Sequence, residues 1–182
     1  MSDHLMKNLA LTMIPDQLPT FFPLLQKGVT VPANVGCTLK SLLCDQFAIP
    51  TDYVTERITT IFLDNRPVDD LDRTIIQDGS RLTLSAAMPG LVGATMRRGG
   101  YYAALRQGIS HVSDAGAAAG EGGMVRLKLF NLLLAELGPL VLARGLILEQ
   151  EELAELLQYD PGCLEGQSAG KGRVLLTVKF NE

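Results

Sequence analysis

No tryptophan occurs in this sequence, and aromatic residues make up only 5% of it. Proteins that bind single-stranded nucleic acid stack bases on aromatic side chains, so this scarcity argues against such a role. Cationic residues are also outnumbered, with 16 Lys and Arg against 20 Asp and Glu, and the net charge is −4. Because nucleic-acid-binding proteins need a cationic surface, we expect no nucleic-acid partner.

Cysteine is too scarce for a disulfide framework. Cys37, Cys44 and Cys163 are odd in number and include no closely spaced pair of metal ligands. The polar N-terminus lacks the apolar stretch of a secretory signal peptide, which favours a cytoplasmic location. The glycines of residues 114–123 are not followed by the Gly-Lys-Ser/Thr of a phosphate-binding loop. The sequence therefore indicates neither a metal site nor a cofactor, and residues 114–123 are typical of a flexible linker.

One apolar stretch, residues 130–148, has about the length of a membrane span. It contains Glu136, the helix-breaking pair Gly138-Pro139 and Arg144, and each of these is costly at the centre of a bilayer. We therefore expect a buried helical hairpin here, and no membrane partner.

What the sequence does contain is typical of a folded protein, with 47% hydrophobic and 20% charged residues. Three segments can be distinguished. Residues 1–95 alternate between strand and helix patterns, residues 96–123 are a glycine-rich linker that contains a short helix at 101–111, and residues 124–182 are mostly helical. These patterns predict an α+β protein.

Strand patterns in the first segment lie on both sides of a helix. Residues 24–31 (LLQKGVTV) predict two short strands around a turn at Lys27-Gly28. Residues 57–63 predict a strand rich in β-branched residues, followed by a turn at residues 64–67. A turn at Asp78-Gly79 precedes another strand at residues 81–87.

The helix between these strands begins with Thr38 as its cap and ends before Pro50. Its apolar residues share one face, since they recur at helical spacing: Leu39, Leu42, Leu43 and Phe47. An order of two strands, a helix and further strands predicts a β-grasp, in which both ends of the chain pair in the middle of one sheet.

Three runs in this segment carry a family resemblance: residues 62–68 (FLDNRPV), 75–84 (IIQDGSRLTL) and 86–93 (AAMPGLVG). They resemble the second half of the ubiquitin-like sulfur carriers, the molybdopterin-synthase small subunit and the thiamine sulfur carrier. The resemblance implies a β-grasp fold and a terminal Gly-Gly that is adenylated and converted to a thiocarboxylate. This chain departs from the family because it continues to Glu182 and does not end in Gly-Gly.

The tetrapeptide Arg97-Arg98-Gly99-Gly100 is similar to the tail of ubiquitin-like modifiers. Cleavage after Gly100 would release a fragment of modifier size with a free glycine carboxylate. The alternative is a loop that leads into the next helix, since a two-glycine turn before a helix is common.

The last segment is predicted to be helical over residues 125–136, to break at Gly138-Pro139 and to continue as a second short segment to Arg144. An amphipathic helix is predicted over residues 149–158. Residues 172–180 alternate like a strand. That strand could join the edge of the β-grasp sheet or pair with another chain, so a homodimer through this strand or the helices is a further hypothesis.

No catalytic residue is predicted. Ser110, His111 and Asp114 include the residue types of a nucleophile triad, but they lie too close in sequence and are better explained as surface residues. The leading hypothesis is a non-catalytic module that binds a partner protein, helped by a positive patch at Arg97, Arg98 and Arg106. The alternatives are the sulfur carrier or modifier activated at Gly100, and a small-ligand-binding protein or enzyme with a pocket between the two regions. The predicted binding residues are Pro89, Gly90, Gly93, Arg97, Arg98, Gly99 and Gly100.

Overall fold

A computed structural model describes residues 6–86, 90–100, 103–106, 120–159, 162 and 172–181. The strands of the described residues form one sheet of eight strands. They are β1 (Lys7–Met13), β2 (Val29–Val35), β3 (Thr60–Leu63), β4 (Arg66–Pro67), β5 (Arg81–Ser85), β6 (Glu121–Phe130), β7 (Leu146–Leu148) and β8 (Val174–Phe180). The α-helices are α1 (Phe22–Lys27), α2 (Leu39–Ser41), α3 (Thr51–Glu56), α4 (Gly90–Met96), α5 (Leu133–Arg144) and α6 (Gln150–Tyr159). Two 3₁₀ helices span Pro15–Phe21 and Ala103–Arg106. The protein is therefore mixed α/β.

The strand order across the sheet is β1-β8-β7-β2-β6-β5-β3-β4. β6 lies at its centre, antiparallel to β2 on one side and parallel to β5 on the other. The sheet therefore combines strands from the predicted segments 1–95 and 124–182. The predicted β-grasp implies that β2 and β5 pair with each other in the middle of the sheet, but β6 lies between them and pairs with both.

The prediction for residues 24–31 was wrong in its first half. These residues form the end of α1 and then β2, and Gly28, at φ +114°, ends the helix. β2 also continues through Pro32, where a strand was expected to stop. Proline has no N–H and cannot donate a hydrogen bond to a neighbouring strand. On the β7 side of β2 this costs nothing, because β7 pairs with β2 only at Thr30 and does not reach Pro32.

The prediction of a helix over residues 125–136 was also wrong. Residues 121–130 form β6, in which buried Val125, Leu127 and Leu129 alternate with half-buried residues. The expected break at Gly138-Pro139 is absent, because both residues lie inside α5. A side chain at Gly138 would come within 3.3 Å of Leu18 and 3.4 Å of Leu25, so the glycine lets α5 approach these residues closely. The expected helical hairpin is thus a strand followed by a single helix.

Other predictions are confirmed within narrower limits. The Thr38 hydroxyl caps α2 by accepting a hydrogen bond from the Ser41 N–H at 3.2 Å, and the helix continues as a π-helix over Leu42–Gln46. The turn after β3 is present, with Asp64 and Asn65 both at positive φ. The predicted strands at 57–63 and 81–87 shorten to β3 and β5.

The C-terminal predictions have similar outcomes. The amphipathic helix is confirmed as α6, in which Leu153 and Leu156 are buried. The C-terminal strand is confirmed as β8, but it lies inside the sheet and pairs with both β1 and β7. Residues 121–123 of the expected linker belong to β6, and residues 107–119 lie outside the described part.

A polar cluster joins α3 to α5. The Arg57 guanidinium donates to both oxygens of Glu136, at 2.5 and 3.0 Å, and the Tyr53 hydroxyl donates to one of them. The Arg57 and Tyr53 hydrogen bonds lower the pKa of the Glu136 carboxyl to about 2. The cluster therefore links a helix of the first segment to a helix of the third.

At the start of β6, a glycine is required by contact with the Asp78-Gly79 turn. The Asp78 carboxylate accepts from the Met124 N–H at 2.8 Å, and the Met124 carbonyl accepts from the Gly79 N–H at 2.8 Å. A Cβ at Gly123 would lie 2.8 Å from that carboxylate and 2.9 Å from Val35.

We expect Gly123→Ala to lower the free energy of unfolding by about 1–3 kcal/mol, measured by urea denaturation.

The matched control is Gly122→Ala, because a Cβ at Gly122 meets nothing within 4 Å. Since glycine costs roughly 0.5–1 kcal/mol relative to alanine inside a strand, this variant should be neutral or slightly stabilising. Equal effects of the two substitutions would contradict the described packing of β6 on the Asp78 turn.

The Tyr53–Arg57–Glu136 cluster predicts a dependence of stability on pH. Because the folded-state pKa of Glu136 is lowered to about 2 from 4.5, its contribution is present above pH 4.5 and is lost as the pH falls towards 2. The difference in unfolding free energy between the unmodified chain and Glu136→Gln should therefore be clearly smaller at pH 3 than at pH 6. The control is Glu56→Gln, at an exposed carboxylate for which the described residues include no ion pair. A difference for Glu136→Gln that stays constant with pH would overturn this assignment.

Candidate functional site

The two faces of the sheet differ sharply in chemistry. Along β6, buried Val125, Leu127 and Leu129 point to one face, which packs against the core. The residues between them, Arg126 and Lys128, point to the opposite face, because side chains alternate along a strand. We call this second face the open face.

A row of paired residues crosses the open face from strand to strand. Its members are aligned by the strand pairing and share one side of the sheet: Asn8, Leu175, Ile147, Thr30, Arg126 and Arg81. The row is apolar towards β8 and β7 and cationic towards β6 and β5. The open face is therefore an amphipathic surface.

A groove lies on this face and has two adjoining lobes. The first lobe has a volume of about 450 Å³, and its walls include Thr30, Arg81 and Arg126. The second has a volume of about 570 Å³ and extends towards Met6 and Gly172. Both lobes share four lining residues: Met124, Ile147, Glu149 and Arg173. We call this depression the sheet groove.

Arg126 is held firmly in the sheet groove. Its Nη1 donates to a Glu152 carboxylate oxygen at 2.7 Å and to the Thr30 hydroxyl at 3.1 Å. Glu152 is only 8% exposed and also accepts from the Glu149 N–H at 3.1 Å, at the start of α6. Because this carboxylate is buried and doubly bonded, Arg126 has a fixed position. Its Nη2 and Nε have no hydrogen-bond partner among the described residues.

Arg173 is held more loosely. It donates to Glu149 at 2.7 Å, but the two side chains are 54% and 52% exposed. Exposed ion pairs of this kind contribute about 0–1 kcal/mol, so Glu149 can leave Arg173 at little cost.

Arg81 has no side-chain partner among the described residues, although its backbone N–H donates to Asp64 at 2.8 Å. It is exposed, and it aligns directly with Arg126 on the neighbouring strand. Like charges at aligned positions on neighbouring strands repel each other. Glu152 already pairs with Arg126, and Asp78 and Glu149 line the first lobe with them, so Arg81 is the arginine of this lobe that has no ion pair among the described residues.

Of the binding residues predicted from the sequence, those that the structure describes lie outside the sheet groove. Pro89 lies outside the described residues, and Gly90 and Gly93 belong to α4. Gly99 is an exposed turn residue at φ +63°, and the N–H of Gly100 donates to the Arg97 carbonyl at 3.2 Å. This stretch is thus a helix followed by a turn.

Of the three arginines predicted to form a positive patch, only Arg97 is exposed. Arg98 donates to the Val54 carbonyl at 2.8 Å, at the C-terminal end of α3. Arg106 is buried and forms two hydrogen bonds with Asp69, at 2.6 and 2.8 Å. Arg98 and Arg106 therefore fasten the 97–106 segment to the fold, and the expected patch is wrong.

Sequence reasoning missed the residues of the sheet groove. The alternation of Val125, Arg126, Leu127 and Lys128 is the signal that could have found two of them, but it was interpreted as a helix. Arg81 was in a correctly predicted strand. Its alignment with Arg126 follows from the pairing of β5 with β6, and neither strand's sequence alone predicts that pairing.

Within the described part of the chain, no three His, Cys, Asp or Glu side chains are arranged to hold a metal ion. In the same part, no helix has both the length and the apolar character that crossing a membrane requires.

Comparison with known proteins gives no relative: no family model, no curated protein and no solved structure matches this chain.

Proposed function

We propose that the protein is a non-catalytic binding module that recognises an acidic segment of a partner protein in the sheet groove. The observation that carries the proposal is the pair of aligned arginines, the exposed Arg81 and the half-buried Arg126, on the open face of a chain whose net charge is −4. Asp78 and Glu149 also line the first lobe of the sheet groove, so the attraction to a partner of complementary charge is local to the exposed Arg81.

We further propose that part of the sheet is a rearranged β-grasp. A β-grasp has two parallel central strands with a helix across one face. The parallel pair β5 and β6, flanked by β2 and β3, supports this interpretation, as does the helix that follows β2. In this interpretation β6 takes the position of the first strand, although it is the last of these four strands in the sequence. The sulfur carriers that the sequence resembles also present a sheet face to their partners.

The partner segment is expected to be extended rather than helical. The two lobes of the sheet groove adjoin across four strands, from Arg81 on β5 to Ile147 on β7 and Arg173 beside β8. An extended chain presents alternate side chains to such a surface, so acidic groups would reach Arg81 and Arg173 while apolar groups contact Ile147.

The small-ligand alternative is supported by one observation, since the first lobe combines Thr30 and Arg81 from the first segment with Arg126 and Glu149 from the third.

The modifier alternative has less support. The chain beyond Gly100 supplies β6, and a fragment that ends at Gly100 would lack the strand between β2 and β5.

The binding proposal can be tested with a fluorescent eight-residue peptide of alternating Glu and Thr. We expect saturable binding that weakens with added salt, measured by fluorescence anisotropy. Arg81→Glu should weaken binding about tenfold or more, because it replaces an attractive charge in the groove with a repulsive one.

The matched control is Arg66→Glu, which makes the same charge change at an exposed arginine on β4, outside the groove. This variant should bind like the unmodified protein. If both variants lose the same affinity, the attraction is a property of net charge and the sheet groove is not the site. If the unmodified protein does not bind the peptide at all, the proposal is wrong.

A further inference from the structure

The two edges of the sheet differ in how well they are protected against pairing with another chain. The β4 edge is only two residues long and includes Pro67, and both short length and proline protect an edge strand. The β1 edge has seven residues, contains neither proline nor glycine, and carries one charged residue, Lys7, at its start. No strand of the described residues pairs with the outer side of β1. β1 is therefore the edge that can accept another strand.

The backbone groups of β1 that point outward follow from its pairing with β8. The Lys7 N–H donates to the Arg173 carbonyl at 3.2 Å, and the Met13 carbonyl accepts from the Asn181 N–H at 2.9 Å. Lys7 and Met13 thus direct backbone groups towards β8, and this direction alternates from residue to residue along a strand. The residues whose N–H and carbonyl groups point away from the sheet are Asn8, Ala10 and Thr12.

A second copy of β1, running antiparallel, uses all three of these residues in one register. When the strands are centred on Ala10, this residue faces Ala10 of the second copy, and Asn8 faces Thr12 of the second copy. Residues that face each other in this way exchange both of their N–H···O bonds. Centring the strands on Leu9 or Leu11 leaves one of the three residues without a partner. The register centred on Ala10 therefore gives the longest ladder.

The side chains at the two ends of β1 favour the same register. Met6 and Ile14 are 43% and 57% exposed, although both are large and apolar. Each lies four residues from Ala10, so the register centred on Ala10 places Met6 of one copy beside Ile14 of the other. Ile14 has extended backbone angles, φ −86° and ψ 152°, so the strand conformation continues to it. Pairing therefore covers two apolar side chains that the single chain leaves in solvent.

We propose that β1 pairs with β1 of a second copy of this chain, antiparallel about a two-fold axis at Ala10, so that the two sheets become continuous. The sequence suggested a homodimer through residues 172–180, but these residues form β8, which lies inside the sheet. The available edge is β1 instead. The interface does not depend on the acidic-segment function, whose aligned arginines lie on β5 and β6.

The proposal is tested by sedimentation equilibrium of the full chain over about a hundredfold range of concentration. We expect the average mass to rise towards twice that of one chain. Ala10→Lys should weaken this association about tenfold or more, because it places two like charges opposite each other at the axis. The matched control is Ala143→Lys, the same change at an exposed alanine on α5, which should associate like the unmodified protein.

A cross-link tests the register. The Cα atoms of facing residues that exchange both hydrogen bonds are about 5.5 Å apart, within the range of about 4.4–6.8 Å that a disulfide spans. Oxidised Ala10→Cys should therefore form more covalent dimer than the unmodified protein, which has its own cysteines. The control is Thr12→Cys, whose two copies would be offset by about 13 Å along the strands and should not cross-link. Circular dichroism and thermal melting check that all variants are folded.

The contradicting outcomes differ in what they replace. A monomer at every concentration would overturn the proposal and leave the β1 edge to another protein or to a part of this chain outside the described residues. A dimer that Ala10→Lys and Ala143→Lys weaken equally would show that the interface lies elsewhere. A dimer in which Thr12→Cys cross-links as readily as Ala10→Cys would overturn the two-fold axis at Ala10.

Discussion

The position of β6 is the constraint on which the rest of the structure depends. Within the described sheet, every hydrogen-bonded path from the β1-β8-β7-β2 group to the β5-β3-β4 group passes through this strand. Val125, Leu127 and Leu129 are fully buried on its core side. At roughly 1.5–3 kcal/mol for each buried side chain, they contribute about 5–9 kcal/mol, which is comparable with the whole stability of many domains. The two groups of strands therefore form one sheet only while β6 is in place.

The same strand creates the candidate site. Side chains alternate along β6, so the strand buries its leucines on one face of the sheet and presents Arg126 and Lys128 on the other. Its parallel pairing with β5 aligns Arg81 with Arg126. The acidic helix α6 then neutralises one of these charges through Glu152. Arg81 has no ion pair within the described residues, although Asp78 lines the same lobe of the sheet groove. The arginines of the candidate site and part of the buried core thus depend on one strand.

Local signals in the sequence predicted the elements that depend on local chemistry. The Thr38 cap, the Asp64-Asn65 and Asp78-Gly79 turns and the amphipathic α6 all follow from side chains within a few residues of each other. The failures involve short apolar runs, where a strand and a helix look alike. Residues 24–27 and 125–130 were assigned to the wrong type because their state is set by distant partners, β6 and α5 for the first and β2 and β5 for the second. The alternation in β6 could have placed Arg126 on the open face, but the alignment of Arg126 with Arg81 depends on strand pairing, which no local pattern shows.

The position of β6 can be tested most directly by nuclear Overhauser effects between backbone protons of neighbouring strands. The account predicts contacts between Thr30 and Arg126 on one side of β6 and between Leu82 and Leu127 on the other. Direct contacts between β2 and β5, together with the sequential amide contacts of a helix over residues 121–130, would contradict it.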